Sequence, residues 1–313
     1  MIKLATKKIT LVANIKVISV ILILSLFGNI GLLLYGSKEE QAHGRVADYT
    51  MLSQVRNYIK QKDLIVNVQP LRDQFNEMGK DKRISIYFEF LNTGANIAVN
   101  KDAEFYPASL MKIPIAMAVM KKIERGQWSI ENELVLLPED KDPRFGNLYK
   151  QSANTKISIE DLLEEMLVNS DNTARAIFMR NLALSDIGEV LLHLGLDDIF
   201  NVNQQVGAKK FSVFWRSLFY STYLNPESSE KLIDIMLHSA ATDFLANGLP
   251  EGTPFSHKIG VVNDINTYSD SGIVYFPNRP YILTVVTQNM TQLETKNVMK
   301  NIGEKAYNYV AKY

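Results

Sequence analysis

The chain of 313 residues contains no cysteine. That absence removes disulfide frameworks, thiolate nucleophiles, iron–sulfur clusters, cysteine zinc sites and a lipid anchor attached through sulfur. It leaves the compartment open, because a chain without thiols tolerates either redox state. Histidine is scarce: His43, His193, His238 and His257, with no HExxH and no close pair. No metal or other cofactor is therefore expected. A surplus of one charge is also missing, since 34 basic residues balance 34 acidic ones. Nucleic-acid binders carry excess cations for phosphates, so no nucleic-acid partner is expected. Internal repeats and low-complexity tracts are absent, and 46% hydrophobic with 22% charged residues is a globular composition.

One long uncharged run is present. Val17 to Gly36 spans 20 residues without a charge, about 30 Å as a helix, roughly the thickness of a bilayer's hydrocarbon core. Lys3, Lys7, Lys8 and Lys16 precede it with no acidic residue, and such positive charge stays on the cytoplasmic side. The expected organisation is a cytoplasmic basic tail (1–16), a transmembrane signal-anchor (17–36), a polar stalk (37–63) and one extracytoplasmic domain (64–313). The rival is a cleaved signal peptide that releases a secreted domain; its apolar region is usually about 7–15 residues and ends in a small-x-small site. Length and the poor site Phe27-Gly28-Asn29 favour the anchor.

Within the domain, helical spacing of Leu71, Phe75 and Met78 predicts a helix over Val68–Met78, ended by Gly79. Ile84–Leu91 is β-branched and aromatic, followed by the turn Asn92-Thr93-Gly94 and by Ala95–Val99, which predicts a hairpin. Helices are expected at Ser109–Glu124, Ile159–Val168, Asn172–Leu182, Ser185–Leu194, Lys209–Tyr223, Pro226–Ser239 and Thr291–Tyr313. Late strands are expected at Phe255–Val262, Gly272–Phe276 and Tyr281–Gln288. Strands at both ends around an all-helical middle predict an α+β fold in which one five-stranded antiparallel sheet joins the two ends, with flanking helices.

Three segments carry candidate chemistry. In Ser109-Leu110-Met111-Lys112 a lysine three residues along a helix can reach the serine hydroxyl, and the apolar run Ile113–Val119 would bury the pair and favour a neutral lysine. The same spacing in Ser228-Ser229-Glu230-Lys231 reads as an ordinary helix start after Pro226, and a helix cap with a snorkelling lysine serves for Ser109 as well. Ser170-Asp171-Asn172 lies between two helices and reads equally as a capping sequence. His257-Lys258-Ile259-Gly260 places a lysine in an apolar strand, which ordinarily marks an edge or a solvent face.

Taken together, SxxK, SDN and K-x-G in this order resemble the motif set of class A β-lactamases and penicillin-binding proteins. The stretches Pro107–Pro114 and Val168–Ala174 and the order of elements are similar too, over about Val68–Tyr313. The resemblance implies a β-lactamase/transpeptidase-like fold with Ser109 as acylated nucleophile, Lys112 as its base and Ser170 as the group passing a proton to the leaving nitrogen. It implies that Lys258 sustains that proton network and attracts a carboxylate, that Asn172 binds the substrate's amide side chain, and that Asp171 is structural. Backbone N–H groups of Ser109 and of Val261, just past Gly260, would form the oxyanion hole. The implied function is that of a membrane-anchored, extracytoplasmic serine hydrolase that forms an acyl-enzyme with a β-lactam, which it hydrolyses, or with a related peptidoglycan-type peptide.

Three departures stand out. Leu196–Ala208 holds Asp197 and Asp198 but no glutamate to activate a deacylating water; Ile259 replaces a hydroxyl residue; and Ser271 stands where many relatives have arginine. The alternatives are a penicillin-binding or DD-peptidase-like acyl-trapping protein, a catalytically inert tethered binding protein, and an assembly protein whose anchor and stalk are its working parts.

Overall fold

The computed structural model describes residues 50–52, 67–197 and 205–312. The expected tail and anchor, residues 1–36, and most of the expected stalk lie outside them. Among the described residues no helix is long and apolar enough to cross a membrane. Of the segment expected to be a stalk, residues 50–52 pack on the domain: Leu52 is buried in its helical core and the Met51 N–H donates to Glu230.

Helix α1 (Gln69–Met78) leads into β1 (Ile84–Phe90) and β2 (Ala95–Val99). After the two-residue β3 (Glu104–Phe105), a 3₁₀ turn (Ala108–Met111) runs into α2 (Lys112–Glu124). The middle contains β4 (Glu133–Val135), β5 (Lys156–Ser158), α3 (Ile159–Leu167), α4 (Asn172–Asn181), α5 (Leu184–His193), β6 (Val206–Gly207), α6 (Ala208–Phe211), α7 (Val213–Tyr220) and α8 (Pro226–Leu237). Then come β7 (Phe255–Val262), β8 (Thr267–Val274), β9 (Tyr281–Thr287) and α9 (Gln292–Ala311). The five long strands form one antiparallel sheet in the order β2-β1-β9-β8-β7, joining the two ends of the chain as expected.

The middle is not all-helical. β4 pairs with β5 and β3 with β6, in ribbons too short to leave an alternating pattern. The helix expected over Lys209–Tyr223 is broken at Ser212, whose hydroxyl bonds back to the Lys209 carbonyl at 2.6 Å, a local competitor of the helical ladder. The strand expected from Gly272 begins five residues earlier, at Thr267.

Alternation along β1 shows why the sheet is covered on both faces. Ile84, Ile86, Phe88 and Phe90 join a core with α1 and α9, through Phe75, Met299 and Ile302. Tyr87 faces the helical middle instead, in a core with Phe214, Trp215 and Leu162. α2 runs through that second core. Every residue from Lys112 to Met120 is buried, as a helix apolar on all sides requires. The lysine that opens this helix is thereby drawn into the interior.

Candidate active site

The Ser109 hydroxyl is carried on the 3₁₀ turn, held down by fully buried Leu110, and lies half-buried at the surface of the domain. Ala108 before it takes φ +48°, a left-handed conformation that costs a residue with a β-carbon on the order of 1 kcal/mol. Strand β7 comes very close to this turn. A β-carbon on Gly260 would stand 2.7 Å from the Pro107 carbonyl oxygen and 2.5 Å from Ser269 Oγ, so only glycine lets the strand approach. The approach brings Val261 beside Ser109, and both line the same two cavities, of about 310 and 210 Å³.

Lys112 is 1% exposed. Its Nζ bonds to the Ser170 carbonyl oxygen at 2.5 Å, to Ser170 Oγ at 3.2 Å and to Asn172 Oδ1 at 2.8 Å. None of these bonds goes to Ser109, so the expected direct Ser109–Lys112 bond is not formed. The reason is local. Ser109 sits on a 3₁₀ turn rather than on the first turn of an α-helix, and Ser170, at φ +56°, turns its carbonyl into the path of that nitrogen. Ser109 and Lys112 nevertheless both line the larger cavity. Burial, then the charges of Lys258 and Arg175, pull the Lys112 pKa down from 10.5 to about 6, against the smaller opposing pull of Asp171 and Asp142. At neutral pH it is mostly an amine, a usable base.

Ser170, Asp171 and Asn172 divide their work. Asp171, fully buried, caps α4 by accepting from the Ala174 N–H at 2.9 Å, and its other oxygen accepts from the N–H groups of Asn147 (2.7 Å) and Leu148 (2.9 Å). This carboxylate clamps the loop 142–148 onto the start of the helix, aided by the Asn172 N–H on the Phe145 carbonyl. Gly146 touches the clamp: with φ +86°, any β-carbon there would fall 1.9 Å from Asp171 Oδ2. The clamped loop carries Arg144 and Phe145 to the cavity wall, and Tyr106 and Arg175 also line it. None of these four was singled out in the sequence. Arg175 was visible as the residue three past Asn172 on one helix face; the loop residues left no signal, because a carboxylate more than twenty residues later places them.

Lys258 lies on β7, the edge strand of the sheet, yet is 1% exposed and faces the smaller cavity with Ser109 and Ser170 rather than solvent. Burial lowers its pKa from 10.5 to about 7, with Asp270 pulling weakly the other way. His257, the next residue, bonds through Nδ1 to Asp270 Oδ1 at 2.8 Å, and Asp270 Oδ2 accepts from the Leu245 N–H, so this pair braces the strand. Ser271, opposite Lys258 in register, is fully buried and spends its hydroxyl on Trp215 Nε1 and Thr284 Oγ1. Ile259 lines the smaller cavity with an apolar side chain. Asp197 is exposed, and Asp198 lies outside the described residues. In Ser228-Ser229-Glu230-Lys231 both serines are buried in α8 and Lys231 pairs with Glu160, the ordinary helix start. Among the described residues no cluster of metal-ligating side chains occurs.

The geometry places the SxxK, SDN and K-x-G residues around one cleft, and comparison with known proteins leads to the same group. The model of the "Beta-lactamase enzyme family" matches residues 70–310. Beta-lactamase VEB-1 of Pseudomonas aeruginosa is 23% identical over 260 residues, covering 74% of this chain and 86% of that protein. A beta-lactamase of Bacillus subtilis is 25% identical over 227 residues, covering 67% and 72%. Among solved structures, PBP-A superposes with a TM-score of 0.70 at 23% identity, covering 79% of this chain and 97% of that one. A variant of PBP-A has been solved as an acyl-enzyme complex with penicillin G.

Proposed function

The chain belongs to the beta-lactamase enzyme family and is a serine hydrolase of that type, and from that premise we propose that Ser109 is acylated by β-lactams or cell-wall peptides to give a long-lived adduct. The observation that carries this reading is Lys112: a buried amine with a pKa of about 6, bonded to Ser170 Oγ and sharing a cavity with Ser109. Neutral Lys112 takes the Ser109 proton as the oxygen attacks the carbonyl carbon. The developing oxyanion is met by the backbone N–H groups of Ser109 and Val261. As the C–N bond breaks, the proton passes from Lys112 through Ser170 Oγ to the leaving nitrogen, which returns Lys112 to its neutral form. Protonated Lys258 holds negative charge near Ser170. Asn172 binds the amide of the acyl side.

Slow release is supported by the sequence of Leu196–Ala208, which holds no glutamate to activate a deacylating water. Among the described residues lining either cavity there is no aspartate or glutamate to activate a water. The uncharged run 17–36 behind four lysines supports a single-pass anchor with this domain outside the cytoplasmic membrane.

Intact-mass spectrometry after incubation with benzylpenicillin tests the proposal. One adduct per chain that survives gel filtration, and that disappears in Ser109→Ala, is the expected result. Rapid nitrocefin turnover with no stable adduct would show a fast β-lactamase instead. No adduct and no turnover with any acylating probe would leave the inert binding protein.

A further inference from the structure

Ser109 stands where the two cavities meet. The smaller holds Ser170 and Lys258 and faces the leaving group. The larger, about 310 Å³, holds Asn172 and extends over an apolar floor of Met111, Ile115, Met179 and Ile187. Arg175 lines it one helical turn beyond Asn172, on the same face of α4. Its guanidinium makes no hydrogen bond or ion pair with another described residue. The second arginine on this wall, Arg144, is already neutralised by a forked contact with Asp142 (Nη2–Oδ2 2.5 Å, Nε–Oδ1 3.0 Å). With no carboxylate on the wall among the described residues, one positive charge above an apolar floor is unanswered. It is felt within the site, since Arg175 is one of the cations that hold Lys112 below its ordinary pKa. On the opposite side, donors for a carboxylate are fewer: Ile259 carries no hydroxyl and that of Ser271 is spent internally.

We propose that Arg175 is a specificity-determining residue that reads an anion on the acyl side of the substrate, carried just beyond the side-chain amide that Asn172 binds. The inference rests on the acyl-enzyme reading and deepens it.

Benzylpenicillin and carbenicillin test it, because they differ by one carboxylate on the carbon next to the side-chain ring. The second-order acylation constants of both are measured for the wild type, Arg175→Gln and Arg175→Lys. A charge-assisted bond predicts that the carbenicillin-to-benzylpenicillin ratio falls about tenfold or more in Arg175→Gln. Partial recovery is expected in Arg175→Lys, and a smaller wild-type ratio in high salt. A ratio within about twofold of wild type in Arg175→Gln overturns the proposal. A parallel arm measures equilibrium binding of both compounds to Ser109→Ala, with and without Arg175→Gln, and needs no covalent step. Tighter carbenicillin binding that vanishes in the double variant supports the role of Arg175 even if the wild type forms no adduct, in which case only the acyl-enzyme reading fails. Equal binding in both backgrounds overturns the role of Arg175 whether or not an adduct forms.

Discussion

A lysine held neutral inside a domain destabilises it in a way that pH can reveal, and Lys112→Met isolates the effect. Methionine keeps the length of the side chain and removes its charge. In the unfolded chain the lysine titrates near its ordinary 10.5, in the folded domain near 6. Between those values the unfolded chain binds one more proton, so stability rises with pH across that window and the cost is fully present below pH 6. The linkage works out to about 5 kcal/mol at pH 7 and about 2 kcal/mol at pH 9. Methionine escapes it. Against that gain stand the carbonyl of Ser170 and Oδ1 of Asn172, which lose their donor at about 1–3 kcal/mol each, whatever the pH. The pH-independent terms cancel when the difference between variant and wild type is followed against pH. Urea unfolding of both proteins at pH 7, 8 and 9 should therefore show the relative advantage of Lys112→Met shrinking by about 2–3 kcal/mol over that range. Acylation should be abolished throughout. A difference that stays flat with pH, or grows toward pH 9, would refute the claim that Lys112 is a buried amine and with it the base assigned to Ser109.

Other consequences are open to direct measurement. The acylation rate of the wild type should rise with pH through a limb near 6, as Lys112 loses its proton; Arg175→Gln removes a cation that depresses this pKa, so its limb should move to higher pH. A limb centred above pH 9 in the wild type would exclude Lys112 as base. Gly260→Ala forces β7 away from Pro107, and a displacement of Val261 on the order of 1 Å should cost about 100-fold in acylation while the circular dichroism spectrum is kept. Unchanged kinetics would mean the close approach has no part in the chemistry. Asp171→Asn turns an amide N–H toward donors that now bond to a carboxylate; a loss of about 2–3 kcal/mol, or about 5–10 °C in Tm, is expected from calorimetry.

Much of this architecture could be read from the chain alone, for identifiable reasons. Long elements announce themselves: Ile84–Phe90 alternates between two cores, and Ile113–Met120 is apolar on every side. Short ribbons such as Glu133–Val135 with Lys156–Ser158 do not, because three residues cannot display a period. The walls of the site were equally hidden. Arg144 and Phe145 owe their position to the carboxylate of Asp171, a tertiary contact that no local pattern encodes.

Each motif, met singly, had an everyday explanation, and the structure shows why the ambiguity was real. Asp171 does cap a helix, and Lys258 does lie on an edge strand. The everyday explanations fail at the next residue and at the next atom. Capping calls for Asp171 but leaves Ser170 in a left-handed conformation with its hydroxyl on the buried nitrogen of Lys112. An edge strand calls for a lysine in water, whereas Lys258 is buried beside a second buried lysine whose pKa its own charge depresses. Among the described residues no carboxylate pairs directly with either lysine, and the nearby Asp171, Asp142 and Asp270 offset the loss of hydration only in part. A scaffold or a passive binding protein gains nothing from two such groups. Acyl transfer does gain, because it needs one amine to accept a proton and one cation to face the leaving group, about one turn of helix and one strand apart from a single hydroxyl. The stored destabilisation is thus the physical argument for catalysis over binding, and it is the quantity that the Lys112→Met titration reads.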